Sequence, residues 1–317
     1  MKAYIGLDIG GTKILGALFD EYGKIIKRVK KKTKAAKGTE TVLLQIFKVI
    51  DGLLEDEEIH LLGIGAGCPG FVKDYSTVVF SPNIPFVDYD LAAIIKAKYN
   101  VPFVLGNDVN VAMFGEWNSS GFSDVNDVIS IFVGTGVGGG IIIDGKIYVG
   151  QGGAGEIGHM IVNPNGIICG CGSHGCLEAY ASKTGIQKSI VAGIRKGRKT
   201  VLKEYLEADG DVIKSSSLRR AYEANDEFAV EVIDGVAFYL GIGISNLVNI
   251  FHPEMVILGG GVMESLGEEL LPIVIKESKK YVMPGMMNNV KFQLSKLSDD
   301  AGIVGGYYLA KAIECKS

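Results

Sequence analysis

Two stretches decide the fold between them: "GLDIGGTKILGALFDEYGK" (Gly6–Lys24) and "IFVGTGVGGGIIIDGK" (Ile131–Lys146). Each runs from an apolar strand through clustered glycines into a second apolar strand and ends near Gly-Lys. Apolar runs broken by such clusters read as strand, turn, strand. Residues 3–19 predict two strands with Gly10-Gly11-Thr12 as the turn, and residues 127–150 predict the same unit followed by an Asp-Gly turn. Their likeness reads as an internal duplication. Further strands are predicted at 23–34, 61–70, 101–108, 253–262 and 290–297. Helices are predicted at 40–55, 90–100, 109–120, through most of 184–240, at 263–282 and at 301–314. Strands mixed with helices and built twice imply an α/β fold with a cleft between two α/β domains.

The chain has 317 residues, 47% hydrophobic and 21% charged, which is enough for two domains or one large one. A formal charge of −4 gives no electrostatic reason to expect nucleic acid or an anionic membrane as a partner. The start, "MKAYIGLDIGG", lacks the apolar core of a signal peptide, and no apolar run reaches the length of a membrane span. The cytoplasm, where thiols stay reduced, is the expectation. The lysines between Lys27 and Lys37 read as a solvated strand and turn. His60 and His252 read as surface or capping residues.

The pattern G-x-G-x-x-G occurs at Gly134, Gly136 and Gly139, but "IIIDGKIYVG" follows it and reads as a strand. A dinucleotide-binding loop must instead open a helix, so that reading fails. No G-x-x-x-x-G-K-[ST] is present either. What remains is a hairpin turn that can aim backbone N–H groups at phosphate oxygens. Two such turns in matching places favour that role over a plain hairpin. The first is preceded by Asp8, whose carboxylate could hold Mg²⁺ directly or through water, and followed by Thr12 and Lys13. A third turn, Gly259-Gly260-Gly261, follows "MVIL", precedes a helix and suits a nucleoside lying close to backbone. Asp108 ends a buried strand and opens a helix, so it is either a proton acceptor or a helix cap; spacing does not separate the two. "CGCGSHGC" (Cys169–Cys176) leaves a disulfide, a zinc site or neither, and a reducing compartment disfavours the disulfide. Cys68 and Cys315 have no partner pattern.

"LDIGGTK", "GTGVGGG" and "LGGGV" resemble the two phosphate segments and the adenosine segment of sugar kinases with the duplicated actin-like (ribonuclease H-like) ATPase fold. "GEIGHM" with "CGCGSHGCLEAYAS" is more specific and resembles the ROK family of repressors and sugar kinases, above all its glucose-phosphorylating branch. The resemblance spans essentially the whole chain in the family's motif order. It implies a smaller domain of residues 1–114 plus 302–317 and a larger one of 115–301 that carries zinc. It implies ATP-dependent phosphorylation of the 6-hydroxyl of glucose, with mannose, fructose, N-acetylglucosamine or N-acetylmannosamine as alternative sugars. A sugar-sensing regulator without catalysis is another alternative, and an ATPase of the heat-shock or actin kind a third. ROK repressors carry a DNA-binding segment ahead of this core. Here the first strand starts near residue 3, which favours the kinase branch. The retained Asp8, Asp108 and Gly turns favour it too.

The resemblance makes Asp108, in "GNDVN", the general base. It assigns sugar contacts to Gly67, Asn83, Asn107, Asp108, Glu156, His159 and Glu178. Glu156 and Glu178, judged by residue type alone, could be surface acids. It assigns ATP to Asp8, Gly10, Gly11, Thr12 and Lys13, to Gly134, Thr135, Gly136, Val137 and Gly138, and to Gly260 and Gly261, with Mg²⁺ near Asp8. Zinc in a closed structural site takes four N or S ligands. Cys169, Cys171 and Cys176 supply three; His174 is near in sequence, but His159 is the family's fourth ligand. The zinc would support the sugar pocket and do no chemistry. A homodimer or homotetramer is the expected assembly, and the donor could also be another nucleotide or polyphosphate.

Overall fold

The computed structural model describes residues 1–55, 58–122, 124–208, 210 and 212–314. Cys315 lies outside them. Two compact units result: Met1–Asp124 with Ile141–Gly155 and Lys296–Ser317, and Val125–Gly140 with Glu156–Ser295.

The first unit is built on the hairpin of β1 (Lys2–Ile9) and β2 (Lys13–Asp20), with Ile9 opposite Ile14. The Gly10 N–H donates to the Lys13 carbonyl at 2.9 Å and closes the turn. Then come β3 (Ile25–Lys32), α1 (Thr39–Leu54), β4 (His60–Cys68), β5 (Phe71–Lys73), β6 (Thr77–Phe80), β7 (Val87–Asp90), α2 (Leu91–Tyr99), β8 (Phe103–Asn107) and α3 (Asp108–Ser119). The main sheet has the order β3-β2-β1-β4-β8, with β1, β4 and β8 parallel. The lysine-rich β3 is its edge, where charge discourages pairing with another chain.

Strand alternation sorts the side chains of β1 between two layers. Ile5, Leu7 and Ile9 join Val42, Ile46, Val49, Ile50 and Leu53 of α1, spaced by three and four as one helix face requires. Tyr4 faces the other way, toward Ile303 and Tyr307 of α10 (Ala301–Glu314). On that side Gly6 and Gly65 stand opposite each other on β1 and β4. A Cβ on either would run into the backbone carbonyl of Ile303 or Gly306, so only glycine lets α10 lie this close.

This packing sets the unit's boundaries. The sequence expectation put 115–301 in the second domain, whereas the compact first unit keeps 115–124, 141–155 and 296–301. A cut after residue 114 would sever α3, which lies on α10 so closely that a Cβ on Gly115 would meet the backbone of Ala301 and Gly305. Glu116, buried, also accepts the N–H groups of Lys296 and Leu297 at 3.0 and 2.9 Å, which fastens the entry to α10. The small sheet β5-β6-β7 was not anticipated, because strands of three and four residues show too little alternation to register.

The second half of the chain forms β9 (Val128–Val133), β10 (Val137–Ile143), β11 (Lys146–Ile147), α4 (Leu177–Ala181), α5 (Lys183–Arg195), α6 (Leu202–Ala208), α7 (Ser215–Glu223), α8 (Glu227–Phe251), β12 (Met255–Gly259), α9 (Gly261–Ser278) and β13 (Lys291–Leu294). Its sheet runs β11-β10-β9-β12-β13, the strand order of the first sheet repeated. Among the described residues α8 is the one helix long and apolar enough to cross a membrane, yet its Val232, Val236, Leu240 and Ile244 are buried in the unit's core.

Candidate active site

In the first unit the candidate side chains gather at the carboxyl ends of parallel strands, where open α/β sheets collect ligands. Register places Asp8 beside Gly67, Gly67 beside Gly106, and Cys68 beside Asn107. A Cβ on Gly67 would sit 3.2 Å from the Asp108 Cα, so the missing side chain leaves room for that turn of backbone. A Cβ on Gly11 would meet Asn83, which lays the exposed Asn83 loop against the first Gly turn.

The two readings of Asp108 separate here. The cap of α3 is Asn107: its Oδ1 accepts the N–H groups of Val109 and Asn110 at 3.0 and 3.2 Å, and its Nδ2 donates to the Gly70 carbonyl at 3.0 Å. Asp108 is the first residue of the helix and accepts the Val109 N–H at 2.9 Å. Asn107 is thereby mostly committed, with one amide N–H left over.

Burial, then the charge of Asp108, pushes Asp8 up to about 6, while Lys13 pulls it down. Two carboxylates sharing one field is the arrangement a divalent cation relieves. Lys13 pairs with Asp299 at 3.0 Å, and Thr12 is exposed. Burial and the charges of Asp108 and Asp8 raise the Cys68 thiol far above its ordinary value, which makes it an inert packing residue.

In the second unit the Gly134 N–H donates to the Gly136 carbonyl at 2.9 Å, closing the turn between β9 and β10 with Thr135 exposed at its tip. β12 leads into Gly260 at φ 86°, a left-handed value, and a Cβ there would strike the backbone of Val133. The two glycine segments therefore adjoin at the ends of neighbouring parallel strands. Gly261 opens α9 with free space about its Cα. Gly138 is half-buried in β10.

Exposed Glu156 precedes the single turn Ile157–His159. The ligand atoms of His159, Cys169, Cys171 and Cys176 all lie within 4.8 Å of one another. Cys169 Sγ is 3.8 Å from His159 Nδ1, and Cys171 Sγ is 3.7 Å from Cys176 Sγ. A disulfide needs about 2.0 Å between sulfurs. Two sulfurs on a tetrahedral ion at about 2.3 Å stand about 3.8 Å apart, so the cluster could hold a metal ion. Burial pushes Cys176 up to about 12 and raises Cys169, whereas the N–H at Ser173 brings Cys171 down to about 7. His174 is engaged elsewhere, its Nδ1 donating to the Gly166 carbonyl at 3.1 Å.

Glu178 is no surface acid. Its Oε2 accepts the Val137 N–H at 3.0 Å and its Oε1 faces Cys169 Sγ at 3.6 Å. Sequence reasoning missed Thr184, whose hydroxyl donates to the Thr135 carbonyl at 2.7 Å. A threonine in the first turn of a helix carries no motif that would have disclosed it.

Two sheets of one strand order, each opening with a hairpin whose turn is rich in glycine, define a duplicated α/β fold of the actin-like ATPase class. The chain belongs to the ROK family, whose model matches residues 4–313. It is 35% identical over 318 residues to a glucokinase of Halalkalibacterium halodurans, covering 98% of this chain and 96% of that one. It is 33% identical to a xylose repressor of Caldicellulosiruptor bescii, covering 95% of this chain and 76% of that one. Its structure resembles a ROK family glucokinase of Streptomyces griseus in complex with glucose and AMPPNP, with a TM-score of 0.78, 33% identity and coverage of 98% and 99%.

Proposed function

We propose that the chain is an ATP-dependent glucokinase that transfers the γ-phosphoryl group of ATP to the 6-hydroxyl of glucose. The observation that carries it is Asp108, set at the end of β8, relieved of capping by Asn107 and sharing a field with Asp8. Asp108 accepts the proton of the sugar hydroxyl as that oxygen attacks phosphorus, a contribution of about 10²–10⁴-fold. On the first unit Gly67, Asn83 and the remaining N–H of Asn107 face the sugar, and Gly10 to Lys13 face phosphate. On the second, Glu156, His159 and Glu178 are sugar contacts, the Gly134–Gly138 turn takes phosphate, and Gly260 and Gly261 admit the nucleoside. Asp8 would hold Mg²⁺, which neutralises phosphate charge when bound.

His159, Cys169, Cys171 and Cys176 would hold zinc, which fits their donor set and spacing. Four protein ligands leave no open position, so its contribution is to fix the loops carrying Glu156 and Glu178. A cytoplasmic location and a homodimer or homotetramer belong to the same reading. Identity with the xylose repressor supports a second reading, a sugar sensor without turnover. Assaying ADP release with a panel of hexoses and Mg·ATP separates them. The proposal expects the highest kcat/KM with glucose; binding of a sugar without turnover of any hexose would favour the sensor.

A further inference from the structure

The segment that follows the last cysteine is tied to the second Gly turn at three points. Glu178 Oε2 accepts the Val137 N–H at 3.0 Å. The Lys183 N–H donates to the Gly134 carbonyl at 2.8 Å, and the Thr184 hydroxyl to the Thr135 carbonyl at 2.7 Å. These bonds hold the turn at its first two residues and where it enters β10. The other oxygen of Glu178 faces Cys169 Sγ at 3.6 Å, and Cys176 immediately precedes α4. A Cβ on Gly136 would run into Glu178 Oε2, so the carboxylate lies directly against the turn.

We propose that residues 178–184 form a clamp through which the His159–Cys169–Cys171–Cys176 cluster positions the phosphate-binding turn, with Glu178 as the linking residue. The metal site then supports the nucleotide side of the reaction as well as the sugar side. The proposal rests on the reading of Gly134–Gly138 as a phosphate turn. Physically, a glycine turn is soft, and its N–H groups present a fixed donor set only if its φ and ψ angles are held from outside. Tethers at both its ends do that. Two of them come from backbone and side chain in the first turn of α5, the third from α4. Glu178 touches both the turn and a cluster cysteine. One oxygen of Glu178 takes the Val137 N–H and the other lies toward Cys169, and an alanine would reach neither.

The test is calorimetric titration of the full-length chain with Mg·AMPPNP in the absence of sugar, so that catalysis and sugar contacts do not enter. Thr184→Val removes one tether at an exposed position and should weaken AMPPNP about fivefold while zinc per chain stays at the wild-type level. Stripping zinc with a chelator and restoring Mg²⁺ should weaken AMPPNP about tenfold in the wild type. In Glu178→Ala the same treatment should change affinity less than about threefold, because the link is already cut. Wild-type affinity that is unchanged by zinc removal, or a Thr184→Val chain that binds normally, overturns the clamp while leaving the phosphate turn in place. A wild-type chain that binds no AMPPNP at all overturns both.

Discussion

Replacing Asp108 by Asn separates catalysis from structure more sharply than any other change to this chain. The substitution keeps the side chain's shape and its capacity to accept the Val109 N–H, now at 2.9 Å. It leaves the helix cap untouched, since Asn107 supplies that. The structural loss is then the interaction of one carboxylate with the start of α3, about 0.3–1 kcal/mol, or a few degrees in Tm at most. The catalytic loss is the general base, about 3–5 kcal/mol of barrier and about 10²–10⁴ in kcat. Nucleotide binding should not fall, because the charge of Asp108 is one of the causes that raise Asp8. Removing it leaves Asp8 more fully ionised and a better partner for Mg²⁺. The assay is ADP release at saturating glucose and Mg·ATP, with thermal melts and Mg·AMPPNP titration alongside. A variant that keeps more than about a tenth of wild-type kcat refutes the assignment of the base. A Tm lower by ten degrees would refute the claim that capping rests on Asn107.

Asp8 titrates near 6 in the folded chain against an ordinary value of 3.8, so the folded state holds its proton more tightly than the unfolded one. The metal-free chain should therefore lose up to about 3 kcal/mol of stability as pH rises from 4 to 7, and Asp8→Asn should abolish that slope in urea titrations. Mg·AMPPNP affinity should run the other way and weaken as pH falls through 6. Gly260→Ala places a Cβ against the Val133 backbone at a left-handed φ and should cost about 2 kcal/mol or more, read as a lower urea midpoint; an unchanged midpoint would contradict the geometry. Cys171→Ser and His159→Ala should each reduce zinc from one per chain toward none and weaken glucose binding, while His174→Ala keeps its zinc. Retention of zinc by His159→Ala would show that the fourth ligand is another residue.

Long, strongly patterned elements were legible in the sequence. β-Branched runs punctuated by glycine gave away both hairpins, and the matching strand orders of the two sheets follow from that duplication. The strands of β5, β6 and β7 were illegible because three or four residues hold barely one period. Some features of the fold have no local signature: glycines at 6, 65 and 115 matter only because α10 lies against them. Glu116 likewise reads as an ordinary helical glutamate until its two backbone donors arrive from residues 296 and 297. Asp108 stayed ambiguous because a base and a cap are both short polar residues between a strand and a helix. The hydrogen bonds of Asn107 assign the cap to that residue. For the cysteines, residue type named the candidate ligands, but the 3.7 Å between Cys171 and Cys176, which excludes a disulfide bond between them, is a property of the folded loop.

The most direct measurement is phosphorus NMR of glucose incubated with the purified chain and Mg·ATP. Glucose 6-phosphate and ADP should appear in equal amounts, and Asp108→Asn should form them at least about a hundredfold more slowly. Release of inorganic phosphate without a sugar phosphate, or no turnover of ATP with any hexose, would contradict the account.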